Sequence, residues 1–114
     1  MDKKEVQDLW INALESEDYR KQRRYALGNE EKGFCCLGVL CDLAVKHGVI
    51  ESYNPYDGTL PSAVMNWVGL NTDVANYTAM TGHVRSLVYH NDAMQEDFHA
   101  IAQVIKTNRA TLFK

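Results

Sequence analysis

The stretch Tyr19-Arg20-Lys21-Gln22-Arg23-Arg24-Tyr25 places four of the chain's twelve basic residues within five positions, between two tyrosines. Arginine forks grip phosphate or carboxylate in pairs, and a tyrosine face stacks on a base. These residue types therefore point to a small anionic or nucleotide-like ligand, or to an acidic protein surface. Tyr19, Gln22, Arg23 and Arg24 are the candidate contacts, and Tyr53, in the polar loop that also carries Tyr56, joins them. Glu15, Glu17, Asp18, Glu30 and Glu31 supply the competing reading, a solvated charged surface balanced by its neighbours.

A second set is Cys35, Cys36 and Cys41. Gly33-Phe34-Cys35-Cys36 stands where a helix should start, and the positive end of a helix dipole lowers a thiol's pKa, so Cys35 or Cys36 could serve a small hydrolase or transferase. A cysteine nucleophile also needs a base, and no short signature ties His47, His83, His90 or His99 to either thiol. Zinc needs four converging ligands, whereas about 100° of turn per residue sends Cys36 and Cys41 well apart on a helix. Small polarizable residues packing a buried helix account for the cysteines better, and neither a metal nor a cofactor is expected. Asn91 and Asp92, in His90-Asn91-Asp92 ahead of the last helix, carry two readings. A cap or turn that bonds backbone amides is favoured over a ligand contact.

The elements that would position these residues are mainly helical. In KKEVQDLWINALES the apolar positions Val6, Leu9, Trp10, Ala13 and Leu14 recur at helical spacing, leaving Lys4, Gln7, Asp8, Asn12 and Glu15 for solvent. Tyr25, Ala26 and Leu27 suggest a strand that pairs, across a turn at Gly28-Asn29, with Gly33-Phe34. FCCLGVLCDLAVKHGV is apolar on every side, the pattern of a buried central helix over about residues 34–47, closed by Lys46, His47 and Gly48. Residues 51–59 read as a surface turn, and Pro61 opens a short helix to Gly69. Residues 71–81 have no clear period, His83 to Tyr89 fits a helix or a strand, and QEDFHAIAQVIKTN is a final helix with Glu96 and Asp97 in its first turn. Trp10 and Trp67 fall on apolar faces and read as core. The fold class is mainly α: one domain over residues 1–114 around the buried helix, with at most a short β-hairpin at about 25–35.

Across these blocks the chain resembles a family of small phage and prophage proteins of unknown function. The likeness rests on Leu9-Trp10 with Ala13-Leu14, on Tyr19-x-x-Gln22-x-Arg24, and on the run from Phe34 to Ala44 that contains CCLGVLCDLA. It continues through Leu60-Pro61-x-x-Val64-x-x-Trp67-x-Gly69-Leu70, Asn91-Asp92 and Phe98-x-x-Ile101-Ala102-x-x-Ile105. The resemblance implies a phage origin and a place in the host cytoplasm; it brings no activity and no catalytic residues. Where that family has an aliphatic residue and leucine before Asn-Asp, this chain has Tyr89-His90, which points to packing, or a ligand position, of its own.

Hydrophobic residues make up 46% of the 114 and charged residues 24%, an ordinary globular balance, at a formal charge of −3. No global positive field draws such a chain to nucleic acid or to an anionic membrane. Met1-Asp2-Lys3-Lys4-Glu5 has no apolar run behind it, so neither a signal peptide nor a membrane span is expected, and the clustered cysteines read as reduced cytoplasmic thiols. The reading these observations favour is a non-enzymatic protein acting in a host cytoplasm, in counter-defence, by sequestering a nucleotide-type signal or by blocking a host protein. A cysteine enzyme is the runner-up. A helical DNA-binding regulator, suggested by Asp97 to Ala102, ranks third because no recognition helix follows. A homo-oligomer is compatible with all three.

Overall fold

The computed structural model describes residues 1–19 and 22–114; Arg20 and Lys21 of the basic stretch lie outside the described residues. Helix α1 (Lys3–Glu15) opens with a reciprocal cap, Asp2 accepting from Glu5 N–H and Glu5 from Asp2 N–H. Val6, Trp10, Ile11 and Leu14 form its buried face. Gln7, expected in solvent, is buried with them: its Nε2 donates to Val68 O at 3.2 Å and its Oε1 accepts from Arg109.

The expected strand through Tyr25, Ala26 and Leu27 is not there. Tyr25 has φ of 67°, outside the extended region, and the hairpin begins later, with β1 (Gly28–Asn29) antiparallel to β2 (Gly33–Phe34). Gly28 faces Phe34 and Asn29 faces Gly33, so the turn lies at residues 30–32 rather than at Gly28-Asn29. Glycine is needed at 28 because a Cβ there would stand 1.9 Å from Gly33 O, at a φ of 82° that side chains resist.

Phe34 belongs to β2, which is why the central helix starts at 36: α2 (Cys36–Lys46) follows the N-cap Cys35, whose sulfur accepts from Gly38 N–H at 3.3 Å. Eight of its eleven residues are buried, and it ends as expected through Lys46 and His47 to Gly48 at φ 73°. Trp10 crosses to it, Nε1 donating to Cys36 O at 3.0 Å. Helix α3 (Ser62–Val68), after Pro61, ends at Gly69 with φ of 83°. Its Trp67 is half buried at the rim of the core, 5.8 Å from the His47 ring, rather than inside it.

The aperiodic stretch contains β3 (Asn76–Thr78), antiparallel to β4 (Val84–Ser86). The ambiguous run His83 to Tyr89 turns out to be both elements: β4 passes into α4 (Leu87–Asp92) at Ser86, whose hydroxyl caps the helix by accepting from Tyr89 N–H. Asp97 caps α5 (Phe98–Thr107), and α6 (Arg109–Leu112) follows. Helix α1 packs against α2, α3 and α5, and the buried apolar residues form a single cluster around α2. The fold is mainly α with short antiparallel hairpins. No helix among the described residues is long and apolar enough to cross a membrane.

Candidate functional site

The end of α4 holds the segment 22–25 in place. Gln22 Nε2 donates to Asn91 Oδ1 and to Glu96 O, each at 2.8 Å; Asn91 Nδ2 donates to Arg23 O at 2.9 Å; and Tyr25 N–H donates to Asp92 Oδ1 at 2.9 Å. From the other side Arg23 N–H donates to Phe34 O at 2.8 Å. Asn91 is wholly buried, and its amide makes two more bonds, accepting from Cys36 N–H and donating to Asp92. One side chain thus joins α4, the basic segment and the start of α2. The side-chain hydrogen bonds of Asn91 are all used inside the fold, in keeping with the structural reading over the ligand one, and with Asp92 it positions the loop from the end of α4, ahead of the last helices.

The loop presents two arginines and one ring. Arg23 and Arg24 are half buried, and the Nε of each is closed off from solvent without a hydrogen bond. Arg24 Nη2 reaches Gln95 O only at 3.5 Å. Lys46, Lys106 and Arg109 pair with Asp42, Glu15 and Asp8, but among the described residues neither loop arginine meets a carboxylate. Tyr25, held in the left-handed region that a bulky residue rarely adopts, is 74% exposed.

The sequence points instead to the other tyrosine, Tyr19. Tyr19 is buried, its ring edge-on to Phe34 at 5.2 Å, and its hydroxyl donates to Asp42 at 2.5 Å and accepts from Lys46. Burial, with the Asp42 carboxylate beside it, pushes that hydroxyl up to about 12. The ring cannot stack on a base, although Tyr19 and Gln22 share the wall of a cleft of about 350 Å³ with Ser16, Asp97 and His99. Tyr53 stands apart: its hydroxyl donates to Gly28 O at 2.9 Å, and the cleft beside it is lined by Asn29, Asp42 and Glu51.

The thiols are core residues. Cys35, Cys36 and Cys41 are free and buried. Burial pushes Cys35 up to about 11 despite the amides of Gly38 and Leu37 that lower it, takes Cys41 to about 12, and holds Cys36 well above its usual range. The dipole argument for a reactive cysteine at the helix start is therefore overridden by desolvation. The described residues contain no group of His, Cys, Asp and Glu side chains that could hold a metal ion.

One constellation escaped sequence reasoning altogether. His90, 6% exposed, has Nδ1 2.6 Å from Glu96 Oε2 and Nε2 2.5 Å from the hydroxyl of buried Tyr77. The two ring nitrogens thus bridge a carboxylate on one side and a phenol hydroxyl on the other. The chain ties β3 to α4 and, because Glu96 O also receives Gln22, braces the loop from behind. The only hint of it was the unusual Tyr89-His90; residues 77, 90 and 96 share no spacing that could have announced it.

No curated protein and no solved structure matches the chain. Residues 1–109 match a family model described as a domain of unknown function (DUF8296), and the chain belongs to that family.

Proposed function

We propose that this is a non-enzymatic binding protein that holds a small, nucleotide-type anion on the loop Arg23-Arg24-Tyr25. The observation that carries the reading is the pair of adjacent guanidinium groups whose Nε atoms are buried and unbonded, in a chain whose other described half-buried arginine is matched by a carboxylate. Leaving such a donor unpaired costs about 1–3 kcal/mol, so these guanidinium groups are under-bonded, and an anion gripped by their outer Nη atoms supplies the partner that no described carboxylate does. The exposed Tyr25 ring adds a face on which a base can stack, and the buried, protonated thiols favour binding over cysteine chemistry. The resemblance to phage proteins supports a host-cytoplasm setting, in which sequestering a nucleotide signal acts as counter-defence. Blocking a host protein is the second reading, favoured by the exposed apolar side chains Met80, Val84, Tyr89 and Met94.

The test begins with native mass spectrometry of gently purified protein, to detect a stoichiometric nucleotide-like mass. Calorimetric titration with adenosine monophosphate, inorganic phosphate and adenosine follows. Adenosine monophosphate should bind best, and Arg23→Ala with Arg24→Ala should weaken it at least tenfold, the effect of losing about 1.4 kcal/mol. Equal binding by the double variant and the native chain would refute the site.

A further inference from the structure

The two outer edges of the β3–β4 ribbon differ. Ala79 N–H donates to His83 O at 2.9 Å and Leu87 N–H to Ala75 O at 3.0 Å, and these bonds fix the phase of the ladder. With Tyr77 opposite Arg85, the hydrogen-bonded pairs are 79/83, 77/85 and 75/87, so Asn76, Thr78, Val84 and Ser86 turn their backbone groups outward. On β3 that edge is closed. Asn76 N–H donates to Thr72 Oγ1, while Thr78 N–H donates to, and Thr78 O accepts from, the hydroxyl of Thr111. On β4 the outward amide and carbonyl of Val84 and the outward amide of Ser86 meet no partner among the described residues, while the carbonyl of Ser86, the N-cap of α4, is used by the first turn of that helix.

Beside this open edge lies an apolar surface with one charge in it. Val84 at 70% and Tyr89 at 51% are two of the large apolar side chains that the fold leaves exposed. Val84 and Tyr89 wall an open cleft of about 390 Å³ with Asn76, Arg85 and Ser86. Arg85 is exposed and meets no carboxylate among the described residues. A short edge carrying a charge resists indiscriminate pairing, so whatever pairs with it must answer the charge.

We propose that the β4 edge docks an extended segment of a partner protein with the pattern apolar–acidic–apolar, which adds a third strand to the ribbon. The residue opposite Val84 exchanges two main-chain hydrogen bonds with it, and the residue opposite Ser86 accepts a third from the Ser86 N–H. The acidic residue between falls opposite Arg85, and the two apolar side chains share the face of Val84 and cover the cleft beside Tyr89. The cleft shares no lining residue with the contacts that hold the Arg23–Tyr25 loop, and the proposal stands or falls independently of anion binding; it rests on the second reading only in that the partner is a protein.

The probe is the peptide acetyl-Thr-Val-Glu-Val-Thr-amide, added at millimolar concentration to the isotopically labelled full chain and followed by amide NMR and hydrogen exchange. The amides of Val84 and Ser86 should shift and gain protection. A peptide with lysine for glutamate should bind about fivefold more weakly, and Arg85→Glu should reverse that preference. Methylating the two valine nitrogens of the peptide should abolish binding while leaving the protein untouched. An unresponsive β4 overturns the proposal, as do shifts confined to Arg23–Tyr25. Protection that rises with protein concentration in the absence of peptide overturns it by making a second copy of the chain the occupant.

Discussion

A guanidinium Nε closed off from water and bonded to nothing is a local cost, and here two stand in sequence, at Arg23 and Arg24, on side chains that meet no carboxylate among the described residues. The neighbouring Tyr25 adds a second local cost, since a left-handed residue other than glycine or asparagine is disfavoured by about 1–2 kcal/mol. Tyr25→Gly relieves that strain but adds about 0.5–1 kcal/mol of chain entropy to be lost on folding, so urea denaturation should show the variant as stable as the native chain or slightly more so. Its affinity for adenosine monophosphate should fall to that for phosphate alone. A loss of stability well beyond about 1 kcal/mol would show instead that the ring is needed for packing, which its 74% exposure argues against. Asn91 makes the opposite case: Asn91→Ala strips the partners from Cys36 N–H, Arg23 O and one bond of Gln22 at a fully buried position. Equilibrium denaturation should report a loss of about 3 kcal/mol or more, with any loss of anion binding following from the released loop.

At the scale of elements, α2 depends on one close approach. A Cβ on Gly38 would stand 1.8 Å from Leu27 O, the same carbonyl that accepts from Cys35 N–H. On propensity alone Gly38→Ala should stabilise a helix interior by about 1 kcal/mol; the clash with a fixed backbone atom reverses the sign, and denaturation should show a loss of about 3 kcal/mol or no folded protein. That glycine looks like a flaw in the sequence pattern, because spacing within α2 says nothing of the carbonyl lying across it. The same limit governs the rest. α1, α2, α3 and α5 were legible because each advertises its buried face by a 3.6-residue period or its end by Pro61, Gly48, Gly69 or Asp97. The arginines of the site were legible by type. What holds them was not, for Gln22 to Asn91 and Tyr25 to Asp92 span more than sixty residues. Tyr25 reads as strand by type but takes a left-handed φ where its N–H bonds that distant carboxylate, and His83 to Tyr89 is ambiguous because it holds the three residues of β4 and only the first three of α4, too few to show a period.

For the whole molecule, folding places several weak acids in surroundings that keep them neutral. Burial takes Cys35 from an ordinary 9.0 to about 11, Cys41 from 9.0 to about 12 and Tyr19 from 10.0 to about 12, and it raises Cys36 and Tyr53 as well. In the unfolded chain these groups release protons as the pH passes 9 and 10, while the folded chain retains them. The unfolded state is then favoured by about 1.4 kcal/mol per pH unit for each group in that window. Their contribution to stability is therefore complete below about pH 9 and is lost as the pH climbs through the folded values, near 11 to 12. Urea midpoints measured from pH 7.5 to 11.5 should show no loss from these groups at first and a steep fall above 9. Replacing the three cysteines with alanine should delay the onset to about 10, where Tyr19 and Tyr53 begin to act. Thiol alkylation of the native chain at pH 8 should likewise proceed no faster than the chain opens, because neutral buried sulfur is a poor nucleophile. A fall that instead began near pH 7, with rapid alkylation of Cys35, would mean that thiolate exists in the folded protein, and cysteine chemistry would then displace anion binding as the leading account.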